Sequence, residues 1–128
     1  MDSAYDLFRN GTQLLERRDF HAATVSLSRV RALEPDKSSV REALGRAYFG
    51  AQRYREAAEE FEAVVAHHPT DDYALFCLGR SLQQLGRHAE ARAPLTLAAT
   101  LRPERADYRL YRERARRQAS AAGSPGAA

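Results

Sequence analysis

A step of 34 residues relates three stretches of this chain, and the repeat restricts the folds open to it. Glycine, alanine and proline positions keep the step, and so do three sets of mostly large apolar residues. The sets are Gly11, Gly45 and Gly79; Ala23, Ala57 and Ala91; Pro35, Pro69 and Pro103; Leu14, Tyr48 and Leu82; Leu27, Phe61 and Leu95; and Val30, Val64 and Ala98. A short repeat cannot bury its apolar surface alone, so we expect the copies to stack.

Each copy predicts two helices. In the second copy, Val40–Ala51 and Arg55–His67 both carry apolar residues at helical spacing, and a short break separates them. The residue before a proline is disfavoured in a helix, so we expect the second helices to end at Glu34, His68 and Arg102. Candidate capping residues follow two of the prolines: Asp36 or Ser38, and Thr70 or Asp71. No stretch predicts a strand.

The recurring glycines need a reason, since glycine inside a helix costs about 1 kcal/mol relative to alanine. Two antiparallel helices joined by a short turn must touch along their length. We expect Gly45 of the first helix and Ala57 of the second to let the two backbones approach closely. The same argument applies to the other two copies.

These positions resemble the tetratricopeptide repeat family, whose repeat length is also 34 residues. The matching residues are the glycines, alanines, apolar residues and prolines given above, and they cover roughly residues 4–105. The resemblance implies an all-α, right-handed superhelical solenoid of three helix-turn-helix pairs and one solvating helix, seven helices in total. Phe20 and Tyr54 occupy the family's aromatic position after the turn, where the third copy has His88, and Arg41 departs from an apolar position.

The predicted domain spans residues 1–119, with repeats at about 4–37, 38–71 and 72–105. A capping helix is predicted at about 106–119, with Ala106, Leu110, Tyr111 and Ala115 as its apolar set. Residues 120–128 are rich in alanine, glycine, serine and proline without periodicity, and we expect a disordered tail there.

The resemblance implies that the first helices of the pairs line a concave groove that binds a partner. Counted by the repeat step, the groove residues are Tyr5, Phe8, Arg9, Thr12, Glu42, Arg46, Phe49, Tyr73, Phe76, Cys77, Arg80, Tyr111 and Arg114. Tyrosine and arginine are enriched at binding hot spots, and the arginine fork fits a carboxylate. We therefore expect a non-enzymatic interaction module that binds a protein or peptide with apolar and acidic groups. An adaptor or a chaperone would have this property.

Some family members clamp the terminal carboxylate of chaperone tails with lysine, asparagine and arginine side chains on this groove. The matching positions here hold Phe8, Thr12, Ala43, Tyr73 and Cys77. None of these side chains supplies that clamp, so we do not expect a receptor of that type.

Motifs for catalysis, metals or cofactors are not evident. The four histidines lack metal-ligand spacing, and Cys77 has no histidine at a telling separation, so it is interpreted as a packing residue. The acidic run Glu59–Glu62 is interpreted as a solvated helix face. We expect no cofactor, no metal and no enzymatic activity.

Two alternatives to peptide binding stay open. The first helix could leave Leu7, Leu14 or Phe8 partly open, which would favour a homodimer. The stretch from Arg102 onward has seven arginines and three acidic residues, which allows nucleic-acid binding but favours it less. With a single cysteine, no apolar leader and no membrane-spanning stretch, we expect a cytoplasmic protein; the excess of arginine over lysine suggests a bacterial source.

Overall fold

Residues 3–123, the part of the chain that the computed structural model describes, form seven α-helices and no strands. The repeats appear as three antiparallel pairs followed by a single helix. The helices are α1 (Ala4–Glu16), α2 (Phe20–Leu33), α3 (Ser38–Gly50), α4 (Tyr54–His67), α5 (Asp72–Gln84), α6 (His88–Leu101) and α7 (Ala106–Gly123). This confirms the predicted all-α solenoid of three pairs and a solvating helix.

Consecutive helices pack against one another, and each first helix also contacts the first helix of the next pair. One apolar cluster joins the first two pairs through residues such as Leu27, Leu44 and Phe61. Another joins α4 to α7 and includes Leu82 and Leu95. Leu78 packs against both clusters, so apolar contacts extend from pair to pair, as a stacked repeat requires.

The turn inside each pair uses the same left-handed backbone conformation. Arg18, Gln52 and Gly86 stand at one repeat position and have φ values of 61°, 62° and 76°. The next residue in each turn donates its N–H to a carbonyl five positions back, for example Arg53 to Tyr48 at 2.8 Å. This closes the first helix in the manner of a Schellman motif. Only the third turn has glycine, the residue for which that conformation costs least.

The repeated glycines make room for a large side chain, which differs from the expected contact with the repeated alanines. A Cβ placed on Gly45 would lie 2.9 Å from Cζ of Phe61, and its nearest neighbours are all atoms of that ring. At Gly11 the nearest atoms belong to Leu27. The alanine, represented by Ala57, is fully buried elsewhere in the same helix pair. The pair thus closes because an aliphatic or aromatic side chain fills the space that glycine leaves.

The acidic run of α4 is not wholly solvated, so that prediction is wrong at Glu60. Its side chain is 4% exposed and forms ion pairs with Arg31 of α2 and Arg41 of α3. Arg41 also donates from Nε to the carbonyl of Pro35 at 2.9 Å. The arginine that departs from the family's apolar position therefore has a buried counter-ion, which the periodicity of α4 alone does not reveal.

Helix α7 docks through a face that includes only part of the predicted apolar set, namely Tyr111 and Ala115. Tyr108 and Ala115 are fully buried, whereas Ala106 is exposed and Leu110 is 45% exposed. Tyr108 donates from Oη to Oδ2 of Asp72 on α5 at 2.7 Å. This hydrogen bond lets a tyrosine enter the core where aliphatic periodicity gave no indication of it.

Two predicted boundaries also differ. Helix α7 continues to Gly123, so residues 120–123 are helical instead of an irregular tail, and residues 124–128 lie outside the described part. Asp71 caps α5 as predicted, its side chain accepting from the N–H of Ala74 at 3.0 Å. Neither Asp36 nor Ser38 caps α3, because Lys37 occupies that position without a side-chain hydrogen bond.

Candidate functional site

A cleft of about 470 Å³ opens beside α3 and α5. Its walls come from these two helices and from the turns of the first two pairs. The lining residues are Arg18, Phe20, Arg46, Phe49, Gly50, Gln52, Tyr54, Phe61, Tyr73, Phe76, Cys77 and Arg80. This volume lies within the range typical of ligand-binding pockets.

Helical spacing explains how α5 supplies so much of the wall. Tyr73, Phe76, Cys77 and Arg80 follow one another at intervals of three, one and three residues, which places them on one face of the helix. The small Gly50 belongs to the end of α3, where Phe20 packs against the space that a Cβ would fill.

Three arginines and no carboxylate line this cleft within the described part of the chain. Arg18 lies over the ring of Phe20 with its Cζ 5.3 Å from the ring centroid. Arg80 is half-buried, and Arg46 is exposed to solvent. Positive charge over a partly apolar floor favours an anionic group that also carries an apolar side chain.

The floor of the cleft is aromatic. Phe49 and Tyr54 meet edge to face with ring centroids 5.1 Å apart. Phe76 stacks on Tyr108 of α7, with ring centroids 4.7 Å apart. Phe76 therefore packs between helices and also lines the cleft.

Cys77 and Tyr73 are held in their neutral forms. Burial raises the pKa of the Cys77 thiol to about 12. Burial, followed by the neighbouring Cys77, raises the pKa of the Tyr73 phenol above its ordinary value. A protonated thiol is a weak nucleophile, so this shift agrees with the interpretation of Cys77 as a packing residue.

Six of the predicted groove residues meet in the cleft, and five lie elsewhere. Tyr5 and Arg9 are exposed on α1, Phe8 packs against the core, and the Thr12 hydroxyl donates to the carbonyl of Arg9 at 3.0 Å. Glu42 faces a second, polar depression that also includes Asp71. Burial and then the charge of Asp71 raise the pKa of the Glu42 carboxyl, while Arg46 opposes that rise.

The remaining two predicted residues, Tyr111 and Arg114, belong to α7 at the edge of the cleft. Tyr111 contacts Phe76 edge to face, with ring centroids 5.6 Å apart. Arg80 and Arg114 both lie over the Tyr111 ring, at 3.9 Å and 4.9 Å from its centroid. These contacts connect the capping helix to two residues that line the cleft.

Sequence reasoning missed six residues that line the cleft. Five of them stand in or beside the turns, namely Arg18, Phe20, Gly50, Gln52 and Tyr54, and Phe61 lies in the middle of α4. A signal was available for two of them, because Phe20 and Tyr54 hold the family's aromatic position after the turn. Their contribution was not foreseen, because counting along the first helices alone leaves the turns out.

Two structural features bear on the alternatives to peptide binding, which are a homodimer and nucleic-acid binding. Leu7 is only 4% exposed and packs with Val30 and Val40, so the prediction that it could be open is wrong for this residue. Phe8 and Leu14 are half-buried, so they stay partly open although both pack against the core. In the basic stretch, Arg105 pairs with Asp107 at 2.8 Å, and other arginines pair with Asp72, Glu104 and Glu113. Much of that positive charge is therefore neutralised locally.

Two kinds of feature are absent from residues 3–123, a metal-ligand cluster and a membrane-spanning helix. No three histidine, cysteine, aspartate or glutamate side chains among these residues come together as a set of metal ligands. Over the same residues, no helix has both the length and the hydrophobicity that crossing a bilayer requires.

Comparison with known proteins places this architecture. A family model described as tetratricopeptide repeat matches residues 42–107, which is slightly more than half of the chain. No curated protein matches the chain. The family and the structural neighbours below support a protein–protein interaction scaffold as the class of function. Proteins with this repeat are generally non-catalytic interaction modules.

Solved structures agree with this assignment. MamA from AMB-1 is 25% identical with a TM-score of 0.84, covering 92% of this chain and 64% of its own. The first such domain of Spaghetti (RPAP3), bound to the HSP90 peptide SRMEEVD, is 15% identical with a TM-score of 0.84, covering 91% and 93%. The Arabidopsis OM64 domain is 15% identical with a TM-score of 0.83, covering 89% and 94%. This chain thus spans about two thirds of the MamA length. Its repeat, its seven helices and these matches agree, and the chain belongs to the tetratricopeptide repeat family.

Proposed function

We propose that this protein is a non-catalytic scaffold that binds a peptide, or a segment of a partner protein, in the cleft beside α3 and α5. The segment carries an acidic group and an apolar side chain. One observation supports this above all: three arginines and six aromatic residues line the cleft, and no carboxylate among the described residues joins them. Arginine and aromatic side chains are the residue types that dominate binding energy at interfaces.

The acidic group and the apolar side chain of the proposed segment contact different residues of the cleft. Arg46 and Arg80 bind the acidic group, because guanidinium forks match the geometry of a carboxylate. Phe49, Tyr73 and Phe76 receive the apolar side chain. A hydrogen bond to a charged group contributes about 1.5–3 kcal/mol, so one such contact separates an acidic peptide from its neutral analogue about tenfold or more.

The peptide bound by the Spaghetti domain is also acidic, as its sequence SRMEEVD shows. This chain does not carry the family's clamp at the matching positions, where Ala43 and Cys77 stand among others without positive charge. We therefore place the acid recognition on Arg46 and Arg80 and expect a different peptide sequence to be preferred.

The proposal also covers the cellular role, the compartment and the oligomeric state. We propose a cytoplasmic adaptor or chaperone-like role in a bacterium, and self-association as a homodimer is the alternative. Tyr5, Val25 and Leu33 are the exposed apolar residues of the first pair, at 71%, 63% and 59%, and would supply that surface. Nucleic-acid binding is less favoured, because acidic neighbours pair with several arginines of the C-terminal stretch.

Selection from a random peptide library displayed on phage tests the proposal. The wild-type protein should enrich peptides that combine aspartate or glutamate with a large apolar residue. The double variant Arg46→Gln/Arg80→Gln should lose the acidic enrichment while it keeps some apolar preference. The matched control is Arg29→Gln/Arg92→Gln, which removes the same charge from exposed positions on α2 and α6.

Three results bear on the proposal. Loss of acidic enrichment in the cleft variant, with retention in the control, supports it. Equal loss in both variants would assign the preference to net charge and overturn the proposed site. A wild-type selection without acidic or apolar enrichment would overturn the proposed ligand class.

A further inference from the structure

Arginine and aromatic side chains alternate across α3, α5 and α7. We name Phe49, Arg80, Tyr111 and Arg114 the arginine–aromatic ladder. The Cζ atom of Arg80 lies 3.9 Å from the ring centroid of Tyr111 and 5.8 Å from that of Phe49. Arg114 lies over the same Tyr111 ring at 4.9 Å. One cleft arginine is thus held by a ring from the first helix of the preceding pair and by a ring from the capping helix.

A polar connection runs parallel to the ladder. Arg80 donates from Nη1 to Oε1 of Gln83, at 3.3 Å. The Gln83 amide in turn donates from Nε2 to the carbonyl of Tyr111 at 3.3 Å and to Oε1 of Gln118 at 3.4 Å. Helix α7 therefore restrains Arg80 both through the face of a ring and through an amide bridge.

Restraint matters for a side chain of this kind. A free arginine side chain populates many rotamers, and part of this rotamer entropy is lost when it binds a ligand. Arg80 is half-buried and already in contact with Tyr111, whereas Arg46 is exposed. Less freedom remains for Arg80 to lose, so its donors are better organised to receive a planar anion.

We propose that Arg80 is the principal carboxylate-binding residue of the cleft, and that Tyr111 of α7 is the residue that positions it. This inference rests on the proposed function, since it concerns the acid-binding part of the same cleft. It assigns a role in ligand specificity to a helix that the sequence presents as a cap for the apolar core.

Removal of the Tyr111 ring leaves α7 anchored elsewhere. Tyr108 is fully buried, stacks on Phe76 and donates to Asp72. Ala115 is also fully buried, one helical turn beyond Tyr111. A substitution at Tyr111 therefore separates positioning of Arg80 from docking of the helix, and helical circular dichroism verifies that the fold persists.

The test compares two probes, N-acetyl-Phe-Glu-amide and N-acetyl-Phe-Gln-amide, by NMR titration against the full chain. The ratio of their dissociation constants measures the preference for the carboxylate. Tyr111→Leu should reduce this preference about two- to five-fold, as expected for the loss of a cation–π contact of about 0.5–1 kcal/mol. Tyr111→Phe keeps the ring face and should retain the wild-type preference.

A readout without ligand accompanies the titration. In the wild type, the side-chain protons of Arg80 should be shifted by the ring current of Tyr111 because Cζ lies 3.9 Å from the ring centroid. Tyr111→Phe should preserve that shift and Tyr111→Leu should abolish it. This shift reports the contact between Arg80 and the ring, whereas the titration reports what the contact does to ligand preference, so the two readouts together separate positioning from docking of α7.

The outcomes separate the inference from the proposed function. Reduced preference in Tyr111→Leu, with rescue in Tyr111→Phe, supports the inference. An unchanged preference in Tyr111→Leu, with the Arg80 shift abolished, overturns the positioning role and leaves the proposed function standing. A greater loss of preference from Arg46→Gln than from Arg80→Gln overturns the ranking of the two arginines. A wild type that binds both probes equally contradicts the proposed function and the inference with it.

Discussion

Oε2 of Glu60 and Nη1 of Arg41 lie 3.0 Å apart, and Arg31 from the preceding pair binds the other carboxylate oxygen. The Glu60 side chain is only 4% exposed, while Arg31 is 36% exposed and Arg41 is 27% exposed. A buried carboxylate of this kind needs its partners, because the desolvation of an unpaired charge is costly. The three residues connect α2, α3 and α4 across the boundary between two repeats.

Glu60→Gln should therefore lower the free energy of unfolding by about 1–3 kcal/mol. The loss stays below that of a fully buried pair, since both arginines retain access to water. Urea denaturation followed by circular dichroism measures it. Glu59→Gln, at an exposed position of the same helix, should change stability by at most about 0.5 kcal/mol. Equal effects of the two substitutions would contradict a structural role for the buried carboxylate.

Gly45→Ala should destabilise the protein by about 1–3 kcal/mol through overpacking. Alanine is the better helix former by about 1 kcal/mol. The sign of the change in the free energy of unfolding therefore reveals whether overpacking or helix preference dominates. The added Cβ would lie 2.9 Å from Cζ of Phe61, and that ring is 1% exposed with little room to move. Thermal unfolding provides the measurement.

The control for this exchange is Ala66→Gly at an exposed position of α4. There propensity alone acts, and the glycine should cost about 1 kcal/mol. If alanine proved stabilising at both positions, the close contact between Gly45 and Phe61 would be refuted.

Tyr108 should make stability fall as the solution becomes strongly alkaline. Burial, and then the hydrogen bond to Asp72, raise the pKa of this phenol above its ordinary value of about 10. Above about pH 10, the unfolded chain releases this proton while the folded chain keeps it. The unfolded state then binds fewer protons, so stability decreases with pH.

Tyr108→Phe should reduce that alkaline slope, and it should lower stability by about 0.5–1.5 kcal/mol at neutral pH through loss of the hydrogen bond. Urea midpoints across a pH series measure both effects. Tyr5→Phe, at a position 71% exposed, should leave the slope as it is in the wild type. A slope that Tyr108→Phe does not change would show that this phenol titrates normally.

Cys77 should react slowly with iodoacetamide in the folded protein. Burial raises the pKa of its thiol to about 12, and the thiolate is the reactive form. At about pH 8, alkylation should be at least about tenfold slower than in the denatured chain, where the thiol has its ordinary pKa. Mass spectrometry reports this residue alone, because the chain has a single cysteine. Similar rates in both states would mean that the thiol is neither buried nor shifted.

Much of the fold was accessible from the sequence because the repeat places like residues in like environments. The 34-residue step, which the sets containing Gly45 and Phe61 both keep, predicted paired helices and their stacking. It did not predict that the Phe61 ring fills the space next to Gly45. The site was only partly accessible. The family resemblance and the repeat step pointed to Arg46, Phe49 and Arg80, but Arg18 and Tyr54, in and beside the turns, reach the cleft through folding of the pairs.

Sequence alone therefore determined the number of helix pairs, their order and the family. The 34-residue repeat can be read directly from the residues, and helix preference depends on neighbours close in sequence. Tertiary structure decided which charges and rings come together. Glu60 gained two arginines, Tyr108 gained Asp72, and Arg80 gained Tyr111, each from a different helix. Such contacts depend on the angle and separation of neighbouring helices, which arise only when whole side-chain layers pack.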